Sequence, residues 1–126
     1  MWTRRLWMGL AAFGGFVAVA VGAFAAHGVS DPRAVELLKT GSTYGFMHSL
    51  ATFACATIMS IGGRRARFAP AFFLSGVALF SGTLYAMALG APSWLGAITP
   101  IGGLLFLTGW AVLVWSSATI DQADRP

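Results

Sequence analysis

The sequence predicts an all-α integral membrane protein: a four-helix bundle with both termini in the cytoplasm and a short surface helix between the first and second crossings. Three observations carry this. Apolar residues (Ala, Val, Ile, Leu, Met, Phe, Trp, Tyr, Cys) make up 57% of the 126 positions, with 16 glycines besides, and only 10% are charged; soluble domains are about 45–50% apolar with glycine included and about 25% charged. Charge is absent from four long runs. Each run also has the roughly 18–20 residues that a helix needs to cross about 30 Å of hydrocarbon. A small soluble domain leaves much of its area in water, so lipid must be the solvent for most of this chain. Disorder and nucleic-acid binding are excluded at the same step. The net charge of +4 comes from basic residues outside the runs, where they act as topology signals.

The chain reads as one transmembrane domain over 1–126, with spans at about 6–26, 43–61, 68–89 and 98–118. Strands are excluded, because backbone groups in lipid must bond within their own segment. Between the first two runs, Ser30 or Asp31 can cap a short surface helix that Pro32 opens and Gly41 ends. Gly62 to Arg67 forms a tight basic turn, and Gly90 to Gly96 an uncharged one. Thr99 can cap the fourth helix and Pro100 open it.

Orientation follows from Lys and Arg. Arg4, Arg5, Arg64, Arg65, Arg67 and Arg125 fall on one side of a four-crossing chain, and Arg33 and Lys39 on the other. The excess places both termini in the cytoplasm, in the cell membrane, which is the inner membrane of a Gram-negative cell. Trp2, Trp7 and Trp115 would mark the inner interface, Tyr44 and Trp94 the outer one. The first run also resembles a signal peptide, with Arg4-Arg5 ahead of it and Ala23-Phe24-Ala25 near its end. It is too long for that reading, and three further spans follow it.

Small residues predict how the helices meet, since close backbone approach replaces hydrophobic burial in lipid. The expected packing glycines are Gly14 and Gly22 in the first helix, Gly45 in the second, Gly82 in the third, and Gly102 and Gly109 in the fourth. Any chemistry belongs to polar groups held in lipid at a cost. His27 closes the first helix, and His48 lies about one and a half turns inside the second span. Tyr85 is about one turn from the outer end of the third helix, and Thr99 begins the fourth. Together they predict one polar layer in the outer third of the membrane. It could relay protons, since imidazole titrates near pH 6.5, or bind a metal with Glu36 or Asp31. The more economical reading is interhelical hydrogen bonding, with His48 reaching Tyr85 or a free backbone group.

Other site classes find no support. Phosphate-binding glycine loops and nucleophile elbows are missing. No acidic residue lies within a span, which disfavours a coupled ion transporter. Gly102-Gly103 after Pro100 could break a helix as at transporter sites, but more often such glycines permit packing. Cys55 is the sole cysteine, so no intramolecular disulfide or Cys-based zinc site can form. No catalytic residue, metal or cofactor is expected.

Four ordered blocks resemble the YgdD-like, transmembrane protein 256 family of small membrane proteins. They are Gly22-Ala23-Phe24-Ala25-Ala26-His27-Gly28; Tyr44 with His48-Ser49-Leu50-Ala51; Phe80-Ser81-Gly82-Thr83-Leu84-Tyr85; and Ile98-Thr99-Pro100-Ile101-Gly102-Gly103 with Gly109-Trp110. The resemblance runs from about Met8 to Trp115. It departs at Ala25, where the family pattern has glycine, and at Ser49, where it has alanine; both changes are small for small. It implies a multi-pass membrane protein of a family without an established biochemical activity. The expected role is a non-catalytic accessory or scaffold in the bilayer, packing with another membrane protein or as a homo-oligomer. The alternative is an oligomeric small-solute or proton conduit through the histidine layer, and a metal-binding or redox accessory comes third.

In a Cys55→Ala background, Ser93→Cys and Arg33→Cys are expected to react with an impermeant thiol reagent from outside, and Arg65→Cys to be protected. The reverse pattern would overturn the orientation; labelling of all three from outside would overturn the four crossings.

Overall fold

Thr3 opens α1 (Arg4–His27), its hydroxyl accepting from the Leu6 N–H at 3.1 Å. The structure, a computed structural model, describes residues 3–121, so Trp2 and Arg125 lie outside the described residues. After a four-residue turn, α2 (Pro32–Ser60) begins with Asp31 as its cap, accepting from Ala34 N–H at 3.2 Å, and with Pro32 in the first turn. A 3-10 turn (Arg64–Phe68) leads into α3 (Ala69–Ala88), and a second one (Ser93–Ala97) into α4 (Thr99–Ser117).

The separate surface helix expected before the second span does not exist. Its cap and its proline are where the sequence placed them, but Gly41 does not end it, and the helix runs on unbroken to Ser60. A glycine inside a helix costs only about 1 kcal/mol relative to alanine, and here it admits a neighbour. A Cβ on Gly41 would lie 2.6 Å from the Tyr85 ring. Thr99 is likewise not a side-chain cap; α4 starts without one.

Consecutive helices are antiparallel neighbours. α2 and α3 form the central pair, α1 lies on α2 with a slighter contact to α3, and α4 lies on α3 with a slight contact to α2. Among the described residues α1 and α4 do not touch. Three segments, Arg4–His27, Arg64–Ala88 and Ser93–Ser117, are long and apolar enough to cross a membrane. α2 is long enough, at 29 residues, but its apolar content is diluted by His48, Ser49 and Thr52. All three are buried inside the bundle, while Phe46, Met47 and Leu50 face outward.

Glycine sites set the spacing. Cβ atoms on Gly14 and Gly22 would lie 2.5 and 2.9 Å from the Ser49 and Ser42 hydroxyls, and one on Gly45 3.0 Å from that of Ser81. Gly109 receives the Phe73 ring, and Gly102 meets Phe80, whose backbone nitrogen would be 2.5 Å from an added Cβ. Gly82 departs from expectation. It sits on the open side of α3, with nothing within 4 Å of a Cβ, because the bundle uses the Phe80, Ser81 and Leu84 faces of that helix instead. Trp7 is buried between helices, in a cluster with Ala51, Cys55, Ala66, Ala69 and Phe73 at the end of the bundle where α1 begins.

The end of the molecule where α2 turns into α3 is tied together by backbone carbonyls. Arg65 donates to Trp115 O at 3.1 Å and lies over that residue's ring. Thr119 Oγ1 donates to Gly62 O at 3.0 Å, and Asp121 N–H to Ile61 O at 2.8 Å. Gly62, at φ +108°, takes a left-handed conformation that a side chain would strain.

Gly102→Ala is expected to destabilise the protein in detergent by about 1–3 kcal/mol, because backbone and not a flexible side chain must give way. Gly82→Ala is expected to be nearly silent. Equal thermal unfolding of the two variants would overturn this account of α3–α4 packing.

Candidate functional site

The four polar candidates do not form one layer. The register that sets Gly22 against Ser42 puts His27, exposed in the last turn of α1, beside the first turns of α2. Thr83 and Thr99 meet lower down, their hydroxyls 2.6 Å apart and sharing one hydrogen bond. Tyr85 packs on Gly41 at a similar height. His48 is deeper, level with Phe106 in the middle of α4. The cause is the continuity of α2: counted from Pro32, position 48 is about 24 Å along the helix, not one and a half turns inside a separate span.

His48 is the most elaborately held of the four. It is 3% exposed, and its ring stacks on Phe106 with centroids 3.6 Å apart and planes 9° from parallel. Phe73 and Trp110 approach from the side at 5.7 and 5.9 Å, and the Tyr44 ring lies 6.2 Å away. Both ring nitrogens are bonded. Nδ1 lies 2.6 Å from Tyr44 O, and the indole N–H of Trp110 donates to Nε2 at 3.0 Å. A carbonyl only accepts and an indole only donates. The two partners therefore fix the neutral tautomer, with the proton on Nδ1 and the Nε2 lone pair filled by Trp110.

The expected Tyr85 partner is thus replaced by Trp110, from a helix that barely touches α2. The sequence held one signal for it. Trp110 lies in mid-span, where an indole N–H has no water to donate to, and His48 carries one of the few side-chain acceptors at that depth.

The other groups are also spent locally. Ser81 donates to Gly41 O at 2.7 Å, and Ser42 to Ala18 O at 2.5 Å, each joining two helices. Thr52 and Cys55 donate to carbonyls of their own helix. The Ser49 and Ser116 hydroxyls are buried without a partner, Ser49 lying against Gly14. Among the described residues no group of three or more His, Cys, Asp or Glu is placed to hold a metal; Asp31 is engaged as a cap. The arrangement is a hydrogen-bonded aromatic core with no lone pair left on its imidazole.

His48→Leu leaves the Trp110 N–H unpaired and is expected to cost about 1–3 kcal/mol. In a double-mutant cycle with Trp110→Phe, the coupling is expected to be about 0.6 kcal/mol and no more than about 1.7, the average and the maximum for side-chain bonds between membrane helices. Additive losses in thermal unfolding would show that the pair does not act as a unit.

Comparison with known proteins places the chain in a family. The family described as "Protein of unknown function (DUF423)" matches residues 21–103. A UPF0382 membrane protein of Haemophilus influenzae is 42% identical over 117 residues, covering 90% of this chain and 94% of the relative. The UPF0382 inner membrane protein YgdD of Escherichia coli K12 is 39% identical over 119 residues, covering 89% and 88%. A UPF0382 membrane protein of the yeast Schizosaccharomyces pombe is 38% identical over 114 residues, covering 83% and 95%. No solved structure matches. With its helical architecture, its three long apolar helices and relatives along nearly all of its length, the chain belongs to the DUF423, YgdD-like family of membrane proteins of unknown function.

Proposed function

We propose that this protein is a non-catalytic accessory or scaffold of the cell membrane, the inner membrane in a Gram-negative cell, crossing four times with both termini in the cytoplasm. It acts by packing its outer helix faces against other membrane helices. The observation that carries this reading is the state of His48, the imidazole in the middle of the bundle. Its two nitrogens are engaged by Tyr44 and Trp110, and its face is covered by Phe106. A group held in this way fixes helix positions, and it would have to break a bond to carry a proton or a ligand. Thr99 and Tyr85 lie in separate contacts and form no file with it.

The outer faces are suited to the role. Phe13, Phe16 and Val19 on α1 and Leu104, Leu107 and Val114 on α4 are 61–74% exposed, on the two helices that flank the central pair. Such faces meet lipid or partner helices, and partner helices gain by close packing.

After cross-linking and extraction from native membranes in mild detergent, the protein is expected to run in a heteromeric complex of fixed stoichiometry. Proteoliposomes of the purified chain are expected to show no proton flux above empty vesicles. A protein that runs alone and conducts protons, with flux lost in His48→Gln, would overturn the proposal in favour of the conduit.

A further inference from the structure

Between α1 and α3 the bundle leaves a groove of about 510 Å³. Leu10, Phe13 and Gly14 line it from α1, and Ala78, Gly82 and Tyr85 from α3. Leu10, Phe13, Ala78 and Gly82 are exposed, so it opens sideways to the membrane. A space of this size has no reason to stay empty, because its walls would forgo van der Waals partners. Water is a poor occupant, needing 2–4 polar partners. The groove's serines already donate elsewhere, Ser75 to Ala71 O and Ser81 to Gly41 O.

Shape and charge select among the remaining occupants. The lining of α3 runs from Ala71 to Tyr85, about 21 Å at 1.5 Å per residue. The α1 wall is shorter, from Leu10 to Val17, so the slot is a long apolar trough open to lipid along one side, a form that suits an extended hydrocarbon chain entering from the bilayer. The foot of the groove, at Ala71, lies one turn beyond Arg67, at the end of the molecule that also carries Arg4, Arg5 and Arg64, all exposed. Asp121 is the one acidic residue described at that end. A basic collar of this kind attracts anionic headgroups.

We propose that the α1–α3 groove holds one acyl chain of an anionic phospholipid, drawn from the leaflet at the Arg4 end, with its headgroup against the Arg4, Arg5 and Arg67 collar. The chain fills the slot along the small residues Ala71, Ser75, Ala78 and Gly82, toward Tyr85. This accounts for Gly82, a glycine in mid-helix with no protein neighbour. It does not depend on the scaffold reading or on which side of the membrane the collar faces.

The protein is reconstituted with equal amounts of phosphatidylglycerol and phosphatidylcholine and examined by native mass spectrometry after release from the micelle. The native chain is expected to retain one phospholipid, phosphatidylglycerol in preference. Gly82→Leu and Ala78→Phe fill the groove and are expected to lower retention about tenfold, worth roughly 1.4 kcal/mol. Gly103→Leu, at another site where a Cβ meets nothing, is expected to retain the lipid. Arg4→Gln with Arg67→Gln is expected to keep a lipid but lose the headgroup preference. Thermal unfolding identifies a groove variant that fails to fold, and retention is then read from the other. No lipid on the native chain, equal retention in the groove variants and Gly103→Leu, or no headgroup preference in the native chain would overturn the proposal. So would a dimer that Gly82→Leu disrupts, which would make a second copy the occupant.

Discussion

Hydrocarbon cannot accept a hydrogen bond, and the placement of every helix here follows from that. Most polar side chains of the spans find carbonyls or one another; the buried Ser49 and Ser116 hydroxyls are exceptions among the described residues. Thr52, Cys55, Ser75 and Thr108 donate within their own helix, while Ser42, Ser81 and Trp110 donate across to another. These three bonds share a feature: each has one end on α2, whereas the Thr83–Thr99 bond joins α3 to α4. The helix with the most polar groups is therefore one of the central pair. α2 lies between α1 and α3 and is reached by α4 through Phe106 and Trp110. Its low apolar content marks an inner helix, with polar groups turned inward and a lipid-facing side that stays apolar.

Close approach is arranged in two ways. Where α2 meets α1 and α3, glycine faces hydroxyl: Gly14 opposite Ser49, Gly22 opposite Ser42, Gly45 opposite Ser81. Where α3 meets α4, glycine faces phenylalanine: Gly76 receives Phe106, Gly109 receives Phe73, and Gly102 meets Phe80. The second arrangement supports the first. Phe106, lodged on Gly76, presents its other face to His48, so the glycine contacts of α3 and α4 hold the ring stack that covers the imidazole. A disturbance at Gly76 would be felt at His48 through one side chain.

The same economy leaves most of the open surface on the outside of the molecule. The interior is filled with rings and mostly bonded hydroxyls, and the Ile61 and Gly62 carbonyls of the α2–α3 turn accept from Asp121 and Thr119. What remains open are the flanking faces of α1 and α4 and the slot between α1 and α3. The proposed scaffold role and the proposed lipid slot rest on these surfaces, in a family of membrane proteins described as of unknown function.

The membrane class, the helical class and the family blocks are legible in composition and run length, because the cost of charge and of unpaired backbone in lipid acts on each segment separately. The helix start at Asp31 is legible too, since capping is local. The rest depended on which faces meet. Gly41 reads as a helix stop and Gly82 as a packing site when each helix is taken alone; only the neighbours decide otherwise, because Tyr85 fills the space at Gly41 and nothing approaches Gly82. The polar layer failed for the same reason, its depths having been counted from a helix start that moved to Pro32 once Gly41 was packed. The His48–Trp110 bond joins residues 62 positions apart. Sequence establishes that each of those groups needs a partner in hydrocarbon, and only the packing of α4 across α3 brings the two together.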